Sequence, residues 1–291
     1  MKINERLDVN NKLFIELRAS NPKWWGNLIS DEDIYVDIRK DNGIDIFHNG
    51  GAIIRELKYY GSSYTGSIHY KYLLPKESEY IKYIFDSSNV RLSKEKNDLL
   101  NINDFDNNSL KRIKNNIETH YPSSSEAGIK AKFVNKSGGF IDTEVRFIVT
   151  DPRIDLVWID KTNKKIVFVE LKNIGNSELF SNKITDQLKK YCVFAQKYEK
   201  EVVGYYKKLF IIKKNLGILP DLLKSISSLN GFTLEMKPLL LLGDCKRKWI
   251  DNNAEDINSR IKNLAVGAYY FGKPGYNCDL IPKTRRNQYI F

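Results

Sequence analysis

The sequence predicts a mixed α/β fold preceded by a β-rich N-terminal region. Up to about residue 80, apolar and polar residues alternate between Asn-Gly-type turns, whereas from about Lys130 onward strand-like and helix-like segments alternate. The 291 residues are 42% hydrophobic and 12% aromatic, which indicates a folded chain with a buried core. The polar stretch at 86–108 contains few large apolar residues. We therefore predict two domains, a β-rich one at 1–105 and an α/β one at 106–291.

The N-terminal elements follow from local patterns. The segment "IYVDIRKDNGIDIFHNGGAIIRELKYYG" alternates with a period of two and contains turn signals at 41–43 and 49–51, which predicts a strand meander continuing through "GSIHYKYLL". Before it, "ERLDVNNKLFIELRAS" has the composition of a helix, and the Trp24–Trp25 pair is typical of a core anchor. After the polar stretch, "NSLKRIKNNIETHY" predicts an amphipathic helix that ends before Pro122.

The C-terminal elements alternate in type. The segments "FIDTEVRFIV", "RIDLVWID" and "KIVFVELKN" predict three strands, and "NKITDQLKKYCVFAQKY" predicts a helix from its apolar spacing of three and four residues. We expect further strands at "KKLFIIKK" and "FTLEMKPLLLLG", with a helix at "LPDLLKSISSL" between them. The segment "INSRIKNLAVGAYYFG" begins as a helix and leads into an irregular basic end. This order predicts a mixed central sheet flanked by helices.

Composition excludes several classes of protein. Three cysteines at wide spacings argue against a disulfide framework or a CxxC zinc site, and none of the three histidines has metal-ligand spacing. No apolar run is long enough to span a bilayer, and the start "MKINERLDVNNKLF" has charges where a secretory signal is apolar. We therefore expect a cytoplasmic location and no membrane contact.

The chain is strongly basic, with 47 Lys and Arg against 36 Asp and Glu, a formal net charge of +11 and a pI near 9.3. Such charge either keeps a surface soluble or attracts a polyanion, because basic side chains supply the sequence-independent part of phosphate binding. The choice between these two interpretations depends on the chemistry of particular residues.

Two acidic residues interrupt the apolar strands of the "RIDLVWIDKTNKKIVFVELKN" segment. If Thr162–Asn163 form a two-residue hairpin loop, counting outward pairs Ile159 with Ile166 and Val157 with Phe168, and Asp155 then lies opposite Glu170. A longer loop or a bulge would shift that register. Since side chains alternate along a strand, Lys172 shares the face of Glu170.

Two opposed carboxylates on apolar strands repel each other and lose hydration, and a divalent cation between them offsets both costs. Mg²⁺ prefers one or two carboxylates together with water and phosphate oxygens, and Mn²⁺ accepts the same ligands. A lysine on the same face can orient the attacking water or stabilise a phosphate. The alternative is a solvated face on which Asp155 pairs with Arg153 or Arg146, but the apolar residues that share this face argue against it.

Asp155 followed by Glu170-Leu171-Lys172 resembles the signature of the PD-(D/E)XK, restriction-endonuclease-like nuclease superfamily. The Gln187-Leu-Lys-Lys-Tyr191 string resembles the QxxxY motif of the RecB-like branch. The resemblance covers about residues 130–210 and implies a restriction-endonuclease-like core for the second domain. The sequence departs from the pattern at the usual proline, because Ile154 precedes Asp155.

The resemblance implies a role for each matching residue. Asp155, Glu170 and the Leu171 carbonyl would hold the metal, and Lys172 would be catalytic. Gln187 and Tyr191, which lie at i and i+4 on one helix face, would border the site. Family members often use a further upstream acid; for this role the sequence leaves Glu118, Glu126 and Glu144 open, with Glu144 closest in sequence.

The expected function is therefore Mg²⁺- or Mn²⁺-dependent hydrolysis of DNA phosphodiester bonds, in bacterial or phage defence or in DNA processing. RNA as substrate and a second copy or another protein as partner remain open. The alternatives are a non-catalytic nucleic-acid-binding module on the same fold and a defence effector switched by a partner. Tyrosines interleaved with basic residues in the first domain suit either nucleic-acid contact or a core: Tyr59, Tyr60, Tyr64, Tyr70 and Tyr72 with Arg55, Lys58 and Lys71.

Overall fold

The structure is a computed structural model that describes residues 3, 6–73, 80–85, 90–92, 105–122, 125–134, 139–147, 152–173, 175–243 and 247–270. Within these residues the chain is α/β, with two six-stranded sheets and seven α-helices. The predicted polar connection at 86–108 lies mostly outside the described residues. No helix in the described part of the chain is both long enough and apolar enough to cross a bilayer.

The helices and strands have the following bounds. The helices are α1 Lys12–Ser20, α2 Lys23–Ser30, α3 Asn107–His120, α4 Glu126–Val134, α5 Asn182–Asn215, α6 Asp221–Lys224 and α7 Arg247–Ile261. The strands are β1 Ile34–Ile38, β2 Ile44–His48, β3 Gly51–Tyr60, β4 Ser63–His69, β5 Tyr80–Phe85, β6 Val90–Leu92, β7 Phe140–Val145, β8 Ile154–Asp160, β9 Lys165–Asn173, β10 Thr233–Leu234, β11 Leu239–Gly243 and β12 Gly267–Tyr270.

The first sheet is the predicted meander, since β1 to β6 pair in chain order and the pairs are antiparallel. Its first two turns lie where the Asn-Gly signals predict them, and Asn42, Asn49 and Gly50 have the positive φ angles that such turns require. Trp24 and Trp25 are fully buried on α2, which confirms their interpretation as core anchors.

Helix α3 packs against this first sheet. An ideal Cβ at Gly51, at the start of β3, would lie 2.5 Å from Cγ2 of Ile117, so only glycine allows this close approach. Leu110, Ile113 and Ile117 of α3 are buried, in agreement with the predicted amphipathic helix. Helix α3 therefore packs with the N-terminal sheet although it lies beyond the predicted domain boundary at residue 105.

The chain divides into two compact units. One contains Glu5–Ala131 and Ile211–Leu219, and the other contains Met1–Asn4, Lys132–Phe210 and Pro220–Phe291. The division at residues 131 and 132 differs from the sequence-based boundary after residue 105, because the buried face of α3 belongs with the first sheet. We refer to the second of these as the C-terminal unit.

The sheet of the C-terminal unit is mixed, with strand order β12-β11-β9-β8-β7 and β10 beside β9. Strands β7, β8 and β9 are antiparallel, whereas β10, β11 and β12 run parallel to their neighbours. Helix α5 and helix α7 cover one face, where Ile184, Leu188, Leu240, Leu242 and Ile257 form part of a buried apolar cluster. Glu170 and Lys172 are register partners of Leu240 and Leu242 and therefore share this face.

The predicted strand at 207–214 is wrong, because these residues continue helix α5, which bends at Tyr198. The burial of Tyr205, Tyr206, Leu209, Phe210 and Ile212 follows a helical period. The apolar run Leu209–Ile212 that suggested a strand is about one turn of this helix, and Ile211 within it is exposed.

The remaining differences lie at strand ends. The predicted strand "FTLEMKPLLLLG" is two strands, β10 and β11, and Pro238, which has no N–H donor, lies between them. The helix predicted at "LPDLLKSISSL" is limited to the four residues of α6. After α7, Gly267–Tyr270 of the segment predicted to begin as a helix form β12, which pairs with β11, and the predicted irregular basic end lies outside the described residues.

Candidate functional site

The β8–β9 hairpin brings the two predicted acidic residues together. Its register pairs Asp160 with Lys165, Ile159 with Ile166, and Val157 with Phe168, which confirms the predicted pairing. The turn is longer than the predicted Thr162–Asn163 loop, because it contains the four residues 161–164. The ladder ends at Leu156 and Val169, and one further step brings Asp155 level with Glu170. Past this end of the ladder, Oδ2 of Asp155 accepts a hydrogen bond of 3.0 Å from the N–H of Leu171.

Glu170 is fully buried, and side chains from two elements contact its carboxyl group. Nζ of Lys172 lies 2.6 Å from Oε1, on the same strand face. The hydroxyl of Tyr191 on α5 lies 2.7 Å from Oε2. The structure thus brings together four of the five residues predicted to be catalytic.

The same Tyr191 hydroxyl also donates to the main-chain oxygen of Arg153, at 2.6 Å. A tyrosine hydroxyl has one proton to donate. Both short contacts are hydrogen bonds at the same time when Oε2 of Glu170 carries a proton and donates it to the tyrosine oxygen. The geometry around Tyr191 therefore fits a protonated Glu170 in the absence of a cation.

The electrostatics of Glu170 agree with this proton count. Burial, followed by the negative charge of Asp155, raises the pKa of Glu170 to about 8, although Lys172 and Tyr191 partly offset the rise. Burial and the charge of Glu170 also raise the pKa of Tyr191 well above its ordinary value, so its hydroxyl remains a donor. Asp155 and Glu170 are thus close enough that the negative charge of Asp155 disfavours ionisation of Glu170.

Lys172 contacts a second carboxylate that the sequence-based reasoning missed. Nζ of Lys172 lies 3.2 Å from Oε2 of Glu178, whose Oε1 is 3.6 Å from Nζ of Lys183. Burial disfavours the Lys172 ammonium, but Glu170, Glu178 and Asp155 outweigh that effect, and the pKa of Lys172 is raised. The sequence signal for Glu178 was the Asn176-Ser-Glu start of a short helix directly after the ExK strand.

The other predicted residues lie less centrally. Gln187 is partly exposed on α5, one turn before Tyr191, and its amide makes no hydrogen bond with the described residues. Its predicted role beside the lysine stays a prediction.

The three candidates for a further acid have different surroundings. Glu144 pairs with Nε of Arg153 at 2.9 Å. Glu118 accepts a hydrogen bond of 2.9 Å from Nε2 of the buried His48, which belongs to the first sheet. Glu126 is exposed in the first turn of α4. Among the described residues, no group of three or more His, Cys, Asp and Glu side chains is arranged to hold a metal ion, so none of the three is assigned as a ligand.

The donor set of Asp155 and Glu170 nevertheless fits Mg²⁺ or Mn²⁺, which bind through one or two carboxylates and complete their shell with water and phosphate oxygens. Since burial and Asp155 raise the pKa of Glu170, a cation would have to displace the proton of Glu170, and its charge would then favour the ionised form of both acids. Glu170 would have to exchange its contact with Lys172 or Tyr191 for the metal. The Leu171 carbonyl remains a ligand by resemblance only.

Comparison with known proteins adds no relative to these observations. No family model, no curated protein and no solved structure matches the chain. The nuclease resemblance therefore depends on the motif residues and on their arrangement around Glu170.

Proposed function

We propose that the C-terminal unit is a restriction-endonuclease-like, RecB-like nuclease domain that hydrolyses DNA phosphodiester bonds with Mg²⁺ or Mn²⁺. The single observation that carries the proposal is the contact of Glu170 with both Lys172 and Tyr191, beside Asp155. A lysine and two acids lie here on a sheet face that also carries Val157, Ile159, Ile166 and Phe168, and a tyrosine from the following helix contacts one of the two acids.

In this proposal each residue has a distinct task. Asp155 and Glu170 provide the negative charge that binds the cation, and the bound cation supplies charge neutralisation at the phosphate and a more acidic water. Lys172 holds the attacking water or a phosphate oxygen through its ammonium. Tyr191 fixes the rotamer of Glu170, since its hydroxyl connects the carboxyl group to the main chain of Arg153.

The basic charge of the chain supports a nucleic-acid substrate. A net charge of +11 favours association with a polyanion through the release of counterions. The tyrosines of the first sheet contribute less to this proposal, because Tyr64 and Tyr72 are buried and only Tyr60 is a large exposed ring among those described.

A second candidate function is a non-catalytic nucleic-acid-binding module. One observation favours it: both oxygens of Glu170 already contact protein groups, since Oε1 lies 2.6 Å from the Lys172 ammonium and Oε2 lies 2.7 Å from the Tyr191 hydroxyl. Retention of the complete Asp155, Glu170 and Lys172 set favours the enzyme, because binding alone requires none of the three.

The experiment that separates the two is incubation of the purified chain with plasmid and single-stranded DNA in Mg²⁺, in Mn²⁺ and in EDTA. We expect cleavage with either metal, none in EDTA, and none by Asp155→Asn. Glu255→Gln is the matched control, since it removes a carboxylate at an exposed position of α7. DNA binding without cleavage in any metal would favour the non-catalytic module.

A further inference from the structure

A second carboxylate faces the catalytic lysine from outside the motif. Glu178 lies in the 3-10 helix Ser177–Phe180, directly after β9, and its Oε2 is 3.2 Å from Nζ of Lys172. The ammonium thus contacts two carboxyl groups, that of the buried Glu170 at 2.6 Å and that of the half-buried Glu178. Neither the motif residues nor the resemblance assigns a role to this second carboxylate.

The backbone of Glu178 is held firmly in place. Its N–H donates to Oδ1 of Asn176 at 3.0 Å, and its carbonyl accepts from the hydroxyl and the N–H of Ser181 at 3.1 and 3.2 Å. The next residue, Leu179, is buried in the apolar cluster beneath α5 and α7. Because its backbone is fixed in this way, the Glu178 side chain can hold the Lys172 ammonium at a defined position.

The chemistry of the lysine requires this second anion once Glu170 binds a cation. A cation bound at Glu170 competes with the Lys172 ammonium for the same carboxylate, and the two positive charges repel each other. Lys172 is itself largely buried, so an ammonium without a carboxylate would lose hydration without compensation. Glu178 supplies the compensating charge, since its carboxylate is 3.2 Å from the ammonium.

We propose that Glu178 is a positioning residue that retains the Lys172 ammonium in the site when Glu170 is bound to metal. The inference rests on the proposed nuclease function. Glu178 acts through Lys172, which it contacts directly, rather than as a ligand of the cation. Lys172 is the main cause of the lowered pKa of Glu178, as expected for a close pair.

The test compares wild type, Glu178→Gln, Lys172→Ala and the double variant. In Glu178→Gln we expect a ten- to hundredfold lower single-turnover rate, with unchanged DNA KM and unchanged Mn²⁺ affinity by calorimetry. In the Lys172→Ala background, Glu178→Gln should change the rate less than twofold, because the partner through which Glu178 acts is absent. Lys183→Gln removes the other, exposed partner of Glu178 and should behave as wild type.

A readout independent of cleavage is the nitrogen-15 NMR signal of the Lys172 ammonium, assigned by its absence in Lys172→Ala. With Mg²⁺ present, this signal should persist in wild type and be lost in Glu178→Gln. A persistent signal in that variant, or a normal rate, overturns the positioning role. Weaker Mn²⁺ binding by Glu178→Gln overturns it in favour of a metal ligand. A wild type that cleaves no DNA contradicts the proposed function instead, and the NMR comparison still decides whether Glu178 retains the lysine.

Discussion

Glu170 shows how one buried acid can connect stability to metal binding. Its carboxyl group has no exposed surface, and burial together with Asp155 disfavours the charged form. The protein therefore stabilises a protonated Glu170 in the absence of metal, whereas cation binding requires the carboxylate. Ionisation of Glu170 without a bound cation therefore lowers the stability of the folded protein.

The first prediction is a pH-dependent difference between wild type and Glu170→Gln. The folded pKa is about 8 and the ordinary value is 4.5, so between these values the folded state binds a proton that the unfolded state has lost. Stability conferred by the neutral acid is present below pH 4.5 and is lost as the pH rises towards 8, with a limiting slope of ~1.4 kcal/mol per pH unit. We expect wild type to lose stability relative to the variant over this range in metal-free thermal melts.

Glu255→Gln is the control, because its carboxylate is exposed and should give a curve parallel to wild type. Added Mg²⁺ should restore stability to wild type at pH 8 but not to Glu170→Gln. Parallel curves for wild type and Glu170→Gln would show that Glu170 ionises in the folded state as it does in the unfolded one.

At the scale of elements, α5 positions Tyr191 at the site. Over its first three turns, Ile184 and Leu188 are buried in the apolar cluster beneath α7, and Tyr191 follows one turn later at Glu170. The same spacing of three and four residues that buries the helix therefore also positions the tyrosine hydroxyl.

The second prediction concerns this helix. Leu188→Ala should lower the free energy of unfolding by about 2–5 kcal/mol, since it leaves a cavity in a closed cluster. Val193→Ala, at a position of the same helix that is 64% exposed, should change it by less than ~0.5 kcal/mol. Urea titrations of both variants measure the two values. Equal effects would mean that α5 does not pack on the sheet through the Leu188 face.

The elements also show which parts of the structure follow from sequence. The β8–β9 register was predictable because a short polar turn and strict alternation admit few pairings. The helix at 207–214 was not, because the run Leu209–Ile212 is apolar at consecutive positions and fits a buried strand as well as a helix. Periodicity over a longer window, which includes Tyr205 and Tyr206, would have favoured the helix.

The candidate site was predictable only where spacing alone sets proximity. Asp155, Glu170 and Lys172 follow from a hairpin count, and Tyr191 follows from a motif on the next helix. The partner of Lys172 in Glu178 depends on the path of a turn after β9, which alternation does not specify. The further acid was left open in sequence, and tertiary structure gives Glu144 and Glu118 other partners, Arg153 and His48.

At the scale of the whole molecule, the charge is the main property. The excess of 47 basic over 36 acidic residues gives +11, and no curated relative indicates a partner for it. The proposed nuclease accounts for this excess as affinity for phosphate, and the alternative is a surface whose charge only keeps the protein soluble.

The third prediction is a steep salt dependence of DNA binding. Asp155→Asn, which we expect to be inactive, should bind labelled DNA at low salt, and log affinity should fall with log salt by about 0.9 for each phosphate contacted in duplex DNA. Fluorescence anisotropy across a NaCl series measures the slope. A flat slope, or no binding at low salt, would direct attention to a protein partner.

The most direct test of the central claim is single-turnover cleavage by Lys172→Ala, with Mn²⁺ binding measured on the same protein. Both proposed carboxylate ligands remain, so Mn²⁺ affinity should be kept or increase as a neighbouring positive charge is removed. DNA affinity should change little, because the variant loses one phosphate contact among many. Cleavage should nevertheless fall by about 10²–10³-fold, because the stabilisation of transition-state charge is lost.

The control is Lys262→Ala, which removes an exposed lysine of the same unit and should cleave as wild type does. Near-normal cleavage by Lys172→Ala would contradict the account.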